Sequence, residues 1–386
     1  MEREDVRLSR RDLGGGSAEG WLSSRSIDSR WDQFLQATPL GHFEQSTLWA
    51  EAKRCEGWWP LRVLLTLDGQ LAGGAQILVR RTRFGKVGYI NRAPVVVPED
   101  PALLDFLIEM FIRTAKREKL RGLVIRPPDE SRFDDKVWVR SGFLPNRIIK
   151  FDSATLLLDL AAGMDALKRG MRKTVRQAFK QAEQRGIKVR EGGEDDISTF
   201  FTLLVATCER QGKKPQPSTE AAFREVWKAL HPAGCVRLLL AEFEGEVIAG
   251  SFNFCFGERV TGWRKGWSGK HRDRHPNHAL VANLLQWAHD HGYKVFDFGG
   301  LERDVAESLL QGRVLPEGQK TGKDFAHLGY GGTPRLLPNS HVYIPNPLLR
   351  FAYRTWDLGR TVKRFQRTKV GGNREPAAGP AKAPTL

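Results

Sequence analysis

LTLDGQLAGGAQILV, residues 65–79, and LAEFEGEVIAGSFNF, residues 240–254, decide the fold. Each is an apolar, β-prone run, an Asp-Gly or Glu-Gly turn, and a second run with a glycine shortly after the turn. Glycine in the turn supplies the positive φ that a tight hairpin requires. Two such hairpins, set far apart in one chain, point to duplication of a single α/β unit.

The surroundings repeat as well. The first hairpin is followed by a strand in KVGYINRAPVVV (86–97), a helix PALLDFLIEMFIRTAKREK (101–119) and a strand GLVIRP (122–127). The second is preceded by the strand SATLLLDL (153–160), a basic segment MDALKRGMRKTVRQAFKQAEQRG (164–186) read as one helix, and a helix within 195–212. It continues through a helix NHALVANLLQWAHDHG (277–292) to the strand KVFDFGG (294–300). Short helices are expected at 29–39 and 46–57, capped by Ser29 and Ser46.

The expected organisation is a flexible N-terminal arm at 1–27 and α/β units at 28–152 and 153–334. A chain return with a basic amphipathic helix follows at 335–367, and a disordered tail at 368–386. The chain has 386 residues and carries 61 Lys and Arg against 45 Asp and Glu, a net charge of +16. That surplus favours a phosphate-rich or anionic-membrane partner. Cys55, Cys208, Cys235 and Cys255 are widely spaced with no CxxC pair, which suggests a reducing compartment and no zinc site. His271, His275 and His278 lack a companion Cys or HExxH motif, so no metal is expected there either. No apolar run is long enough to span a bilayer.

A hairpin carrying G-x-x-(I/L)-A-G, then strand, helix and strand, resembles the GNAT acyltransferase fold. Two in tandem, with QSTLWAEAKRCEGWWPLRV, GYINRAPVV, TCERQG, WAHDHGYKVFDFGG and HLGYGGTP in order, resemble the FemABX aminoacyltransferases over about residues 30–350. The resemblance implies two tandem GNAT-like domains, each a mixed sheet flanked by helices. It also implies transfer of an amino acid from aminoacyl-tRNA to an amine on a peptidoglycan precursor, lipid II or UDP-MurNAc-pentapeptide, building the interpeptide bridge. The expected setting is the cytoplasm, in peripheral contact with the inner face of the membrane. Because the ester is already activated, positioning and oxyanion stabilisation carry the reaction, and neither an enzyme nucleophile nor a cofactor is implied. HRDRHPNHAL lacks the glycines that a CoA pyrophosphate loop needs, which argues against acyl-CoA.

By the same resemblance Lys53 and Arg210 are expected to hold the precursor's diphosphate. Arg172, Lys173, Arg176 and Lys180, within residues 168–190 where Glu183 is the one acid, are expected to meet the tRNA. In HLGYGG (327–332), His327 stands where the family has a lysine that steadies charge on the carbonyl, and Tyr330 stands for a phenylalanine. His327 is the candidate catalytic group and Lys323 its candidate substitute. Gly331 and its neighbours serve a turn and a substrate wall alike. Asp297 is either a cleft floor or a buried brace. Val97 occupies the position of the family's proposed acidic base, so no general base is assigned. Two alternatives stand beside this reading: a FemAB-related N-acyltransferase acting on another amine in exopolysaccharide or small-molecule metabolism, and a non-catalytic RNA- or membrane-binding protein.

Overall fold

The computed structural model describes residues 5–13, 16–316, 319 and 322–355. The tail expected at 368–386, and the basic amphipathic stretch beyond residue 355, lie outside the described residues.

In chain order the first half runs β1 (Val6–Leu13), β2 (Gly16–Ser23), α1 (Ser29–Gln36), α2 (Thr47–Ala52), β3 (Trp58–Leu67), β4 (Gln70–Thr82), β5 (Gly85–Asn91), β6 (Val95–Val96), α3 (Pro101–Arg117), β7 (Leu120–Arg126), α4 (Lys136–Arg140) and β8 (Leu144–Pro145). The second runs β9 (Ala154–Asp159), α5 (Met164–Gly170), α6 (Lys173–Gln184), β10 (Lys188–Glu191), α7 (Ile197–Arg210), α8 (Glu220–Leu230), β11 (Val236–Phe243), β12 (Glu246–Phe256), β13 (Arg259–Trp267), α9 (Pro276–Asp290), β14 (Val295–Leu301), α10 (Arg303–Leu310), α11 (Gly322–Leu328) and β15 (Thr333–Leu336). The chain then returns to the first sheet with β16 (His341–Tyr343) and ends its described course in α12 (Pro347–Thr355).

The first sheet is ordered β1-β2-β3-β4-β5-β7-β16-β8, with β6 on β4; the second is β10-β11-β12-β13-β14-β9-β15. Both are mixed, and each holds one parallel pair, β5–β7 and β13–β14. The two hairpin turns share one conformation: Asp68 and Gly69 have φ 49° and 81°, Glu244 and Gly245 have 51° and 81°. Positive φ at both central residues gives the turn twist that matches paired strands.

The halves differ where it matters for function. β5 and β7 stay paired from Lys86↔Leu120 to Asn91↔Arg126, whereas β13 and β14 pair only from Arg259↔Val295 to Thr261↔Asp297. Beyond Asp297, β14 pairs only with β9, through a bulge at Phe298 and Gly299, and β13 pairs only with β12. The second sheet is therefore split along part of its length.

Three expectations are corrected. Within the arm expected at 1–27, residues 6–13 and 16–23 are not loose, because β1 and β2 pair with each other and β2 pairs with β3. The inward residues of β2 are Ala18, Gly20 and Leu22. A Cβ on Gly20 would lie 2.8 Å from Met110, so small residues let α3 close on the strand and leave little hydrophobic signal. Second, 164–186 is two helices. Met171 is extended and buried, and Arg172 N donates to Gly329 O at 2.9 Å instead of continuing α5. Third, Asp28 rather than Ser29 stands at the N-cap of α1, its carboxylate held by Arg30, while Ser46 caps α2 by accepting from Trp49 N.

One core spans both halves: Trp31, Phe43 and Trp49 of the first pack with Phe223, Phe252 and Phe254 of the second. Phe43 and Phe254 stack at 3.9 Å. α7 lies on the second sheet through Gly266, where a Cβ would stand 2.6 Å from Leu204 N and 2.8 Å from Leu203 C. Gly266→Ala is expected to cost about 1–3 kcal/mol by overpacking backbone against backbone. A lowered urea midpoint at unchanged secondary structure measures it, and an unchanged midpoint contradicts this packing.

Candidate active site

The two halves meet at buried charge. Asp297 is fully buried; its Oδ1 accepts from Thr155 Oγ1 and from Gly299 N at 2.8 Å, and its Oδ2 faces Arg259 Nη1 at 3.4 Å and Arg92 Nη2 at 4.0 Å. Asp129 of the first half joins Arg92 and, at 3.0 Å, Arg259 Nη1. Desolvation lowers the Arg92 guanidinium to about 10, and neighbouring Arg126 acts in the same sense.

Beside this network a small open cleft is lined by Leu40, His42, Arg92, Asp129, Glu130 and Arg259. His42 Nδ1 accepts from Glu44 N, so the neutral ring carries its proton on Nε2, a buried atom without a partner. Burial, then Arg92 and Arg259, holds His42 well below its usual value.

Where the second sheet splits, α11 and the glycine segment cover the gap. Phe298, in the β14 bulge, stacks on His327 and Tyr330 with centroids 5.0 Å from each. Lys265 of β13 places Nζ 5.4 Å from the same ring. Lys323 Nζ donates to Gly300 O at 2.6 Å. Desolvation first, then Lys323, lowers the Lys265 ammonium to about 8. Desolvation, then Lys265 and Lys323, holds His327 well below 6.5, and His278 behind Tyr330 falls to about 4, by burial first. His327 is therefore uncharged at neutral pH: its ring is able to donate a hydrogen bond but supplies no standing charge.

The other expected residues fall as follows. Lys53 is half-buried, paired with Glu56 at 2.5 Å and lying 5.0 Å over Trp49. Arg210 is exposed, bonded to Trp267 O and lying over the Trp267 ring at 5.1 Å. No contact joins Lys53 to Arg210 among the described residues. Of the two roles open to Asp297, its hydrogen bonds fulfil bracing. Tyr330 is a buried wall. Gly331 and Gly332 have φ 79° and 98°, and a Cβ on either would meet Gly170 O at 2.9 Å or Leu157 O at 2.6 Å, so backbone packing alone demands glycine there.

Arg172 turns inward, donating from Nη1 to Phe325 O at 3.0 Å and stacking 3.7 Å over the Phe325 ring. Arg176 donates to Lys168 O and Met171 O, while Lys173 and Lys180 remain exposed. Among the described residues no three acidic, His or Cys side chains group to hold a metal ion. Of the histidines weighed for zinc, His275 bonds Gln181 and His278 packs on Tyr330.

Sequence reading missed Arg92, Asp129, Arg259 and Lys265. The only signal for Lys265 is the run WRKGW, residues 263–267, whose bulge at Trp263 is invisible without the register that skips it between Gly262↔Asn253 and Arg264↔Phe252.

The neutral histidines set a pH dependence. His42, His278 and His327 bind protons more weakly folded than unfolded, so they cost nothing above pH ~6.5 and destabilise the fold as pH falls towards their folded values. The urea midpoint is expected to drop between pH 7 and 5, and His278→Gln to flatten that slope; equal slopes would refute the assignment.

Residues 27–137 match the FemAB family and residues 169–305 an acetyltransferase (GNAT) domain. The lipid II:glycine glycyltransferase of Staphylococcus saprophyticus is 27% identical over 230 residues, covering 56% of this chain and 55% of that protein. Its namesake from Staphylococcus haemolyticus is 22% identical over 350 residues, 71% of this chain and 83% of the relative. In fold, the crystal structure of FemX superposes with a TM-score of 0.72 at 20% identity, over 84% of this chain and 97% of FemX. The C-terminal domain of a putative lysylphosphatidylglycerol synthetase from Agrobacterium fabrum follows at 0.51 and 13%, over 90% and 98%. Two mixed sheets, each with one parallel pair, give the chain the fold of two tandem GNAT-like domains, and in sequence it is similar to acyltransferases of the FemABX family.

Proposed function

We propose that the protein moves an amino acid from aminoacyl-tRNA to an amine on the stem peptide of a peptidoglycan precursor, lipid II or UDP-MurNAc-pentapeptide, as the name of its staphylococcal relatives suggests for lipid II and glycine. One observation carries this reading. The basic helix α6 is fastened to the segment that covers the split sheet, through Arg172 N to Gly329 O and Arg172 Nη1 to Phe325 O. A polyanion lying along Lys173 and Lys180, which form no ion pair among the described residues, would deliver its end to that gap. Phosphate contacts of this kind position the nucleic acid without reading its sequence.

In this reading an acceptor amine attacks the ester carbonyl in the gap, where the low-dielectric walls of Phe298 and Tyr330 strengthen any hydrogen bond to the developing oxyanion. His327 donates from its ring N–H. Lys53, and more remotely Arg210, hold the diphosphate of the acceptor. Among the described residues no helix is long and apolar enough to cross a membrane. Leu348 and Phe351 of α12 are 81% and 67% exposed beside Arg350 and Arg354, while Tyr353 anchors the helix on Pro145 O at 3.0 Å. That face suits contact with an anionic membrane surface carrying the precursor.

A second reading, an N-acyltransferase for another amine, is favoured by the exchange of a cation for the neutral His327. Transfer of label from charged tRNA to lipid II or UDP-MurNAc-pentapeptide decides between them. Lys53→Ala is expected to raise KM for the precursor 10-fold or more at nearly unchanged kcat. No transfer with any aminoacyl-tRNA would move the assignment to the other amine. For the tRNA arm, Lys173→Gln with Lys180→Gln is expected to flatten the log–log salt dependence of binding by roughly 1.4–1.8, about 0.7–0.9 per lost phosphate contact; an unchanged slope removes α6 from the interface.

A further inference from the structure

The gap in the second sheet holds a cation that the fold does not use. Lys265 projects from β13 just past the point where β13 leaves β14, and its Nζ has no hydrogen-bond or ion-pair partner among the described residues. The charged and titratable groups that act on it are Lys323 from α11, His327 from the same helix and His278 from α9. None is an acid. The carboxylate of Asp297, on the neighbouring strand, is already occupied by Thr155, Gly299 and Arg259. A half-buried ammonium next to a second lysine, with no acid to offset either among the described residues, costs stability that an arriving anion would restore.

We infer that Lys265 and Lys323 hold an anionic oxygen of the substrate in the gap between β13 and β14, Lys265 being the group that touches it. The inference rests on the acyl-transfer reading above and deepens it. During transfer the amine lone pair forms a C–N bond to the ester carbon, and the carbonyl π pair moves onto oxygen. Collapse re-forms C=O, the C–O bond to ribose breaks with its electron pair on the ribose oxygen, and the proton released by the amine ends there. The transient oxyanion is one source of the charge; a permanent carboxylate or phosphate of the substrate is the other. Either oxygen would meet Lys265 over the face of Phe298, where water is scarce and a charge-assisted hydrogen bond is strong.

Two measurements on the full chain test this. In the first, lysine carrying 13C at Cε is titrated by NMR, with Lys265→Arg to assign the signal. The Lys265 midpoint, near 8 in the free protein, is expected to rise by half a unit or more with inorganic phosphate. Lys323→Met is expected to abolish that rise. In the second, Lys265→Met is assayed for transfer. A 10²–10³-fold loss in kcat at constant KM identifies the transient oxyanion, and a 10-fold or greater rise in KM at constant kcat identifies a permanent substrate anion. Lys265→Arg recovers part of the loss in either case. Lys265→Met is expected to melt no lower than the wild type, because it removes an uncompensated charge, so lost activity is not lost folding. If the wild type transfers and Lys265→Met keeps both constants within twofold, the inference is overturned while the function stands. If no aminoacyl-tRNA serves as donor, the function reading falls and the phosphate titration alone decides: a raised midpoint upholds the anion site, and an unmoved one overturns it.

Discussion

The structure depends on a buried carboxylate at a branch point. Asp297 is the last residue of β14 that pairs with β13, and its two oxygens are held from three directions, by Thr155 of β9, by the Gly299 amide of its own bulge, and by Arg259. A fully buried charge is tolerable only when so satisfied. Meeting that condition fixes where the second sheet stops being continuous. Arg259 also reaches Asp129, and Arg92 reaches both acids. The same network that ends the β13–β14 pairing therefore ties the second half to the first, and the gap and the junction are set by one group of charges.

Consequences follow along β13. Its first residue, Arg259, belongs to the junction; Trp263 is extruded by a bulge and packs on Trp49 of the first half at 6.1 Å. Arg264 bonds Gln216 O, Lys265 enters the gap, and Trp267 supports Arg210. A regular strand would send alternate residues to the same face. The bulge breaks that alternation, which is how one nine-residue strand serves the interdomain core and the candidate site together.

Much of this was legible beforehand. The hairpins were readable from the local chemistry of their Asp-Gly and Glu-Gly turns, and α3 and α9 from their apolar helical runs. The N-terminal strands were not, since Ala18 and Gly20 are small to admit α3 and so lack the alternation that marks a strand. The break at Met171 was not, because its cause is a hydrogen bond to Gly329, more than 150 residues on. At the candidate site, motif reading singled out His327, Lys323 and Asp297 and passed over Lys265 and Asp129, whose positions come from which strands diverge and which loops meet. The glycines of the closing segment were legible as glycines, yet their reason, contact with the backbone of Gly170 and Leu157, belongs to packing.

The uncharged histidine at 327 and the lysine at 265 explain each other. Two like charges about 4 Å apart repel by ~4 kcal/mol at the effective dielectric of a protein surface, and by more under cover. Lys323 already lowers Lys265, and both lower His327. A third ammonium at position 327, stacked on the Phe298 that Lys265 also covers, would drive one of the three to lose its proton even before any substrate arrived. An imidazole held neutral by burial keeps a donor N–H at that place without adding to the repulsion. It leaves Lys265 poised close to neutrality, where an arriving anion is enough to fix its proton. The positive charge of this gap is thus shared between Lys323 on the covering helix and Lys265 on the floor strand, a part of the second domain held by sheet pairing on its other edge.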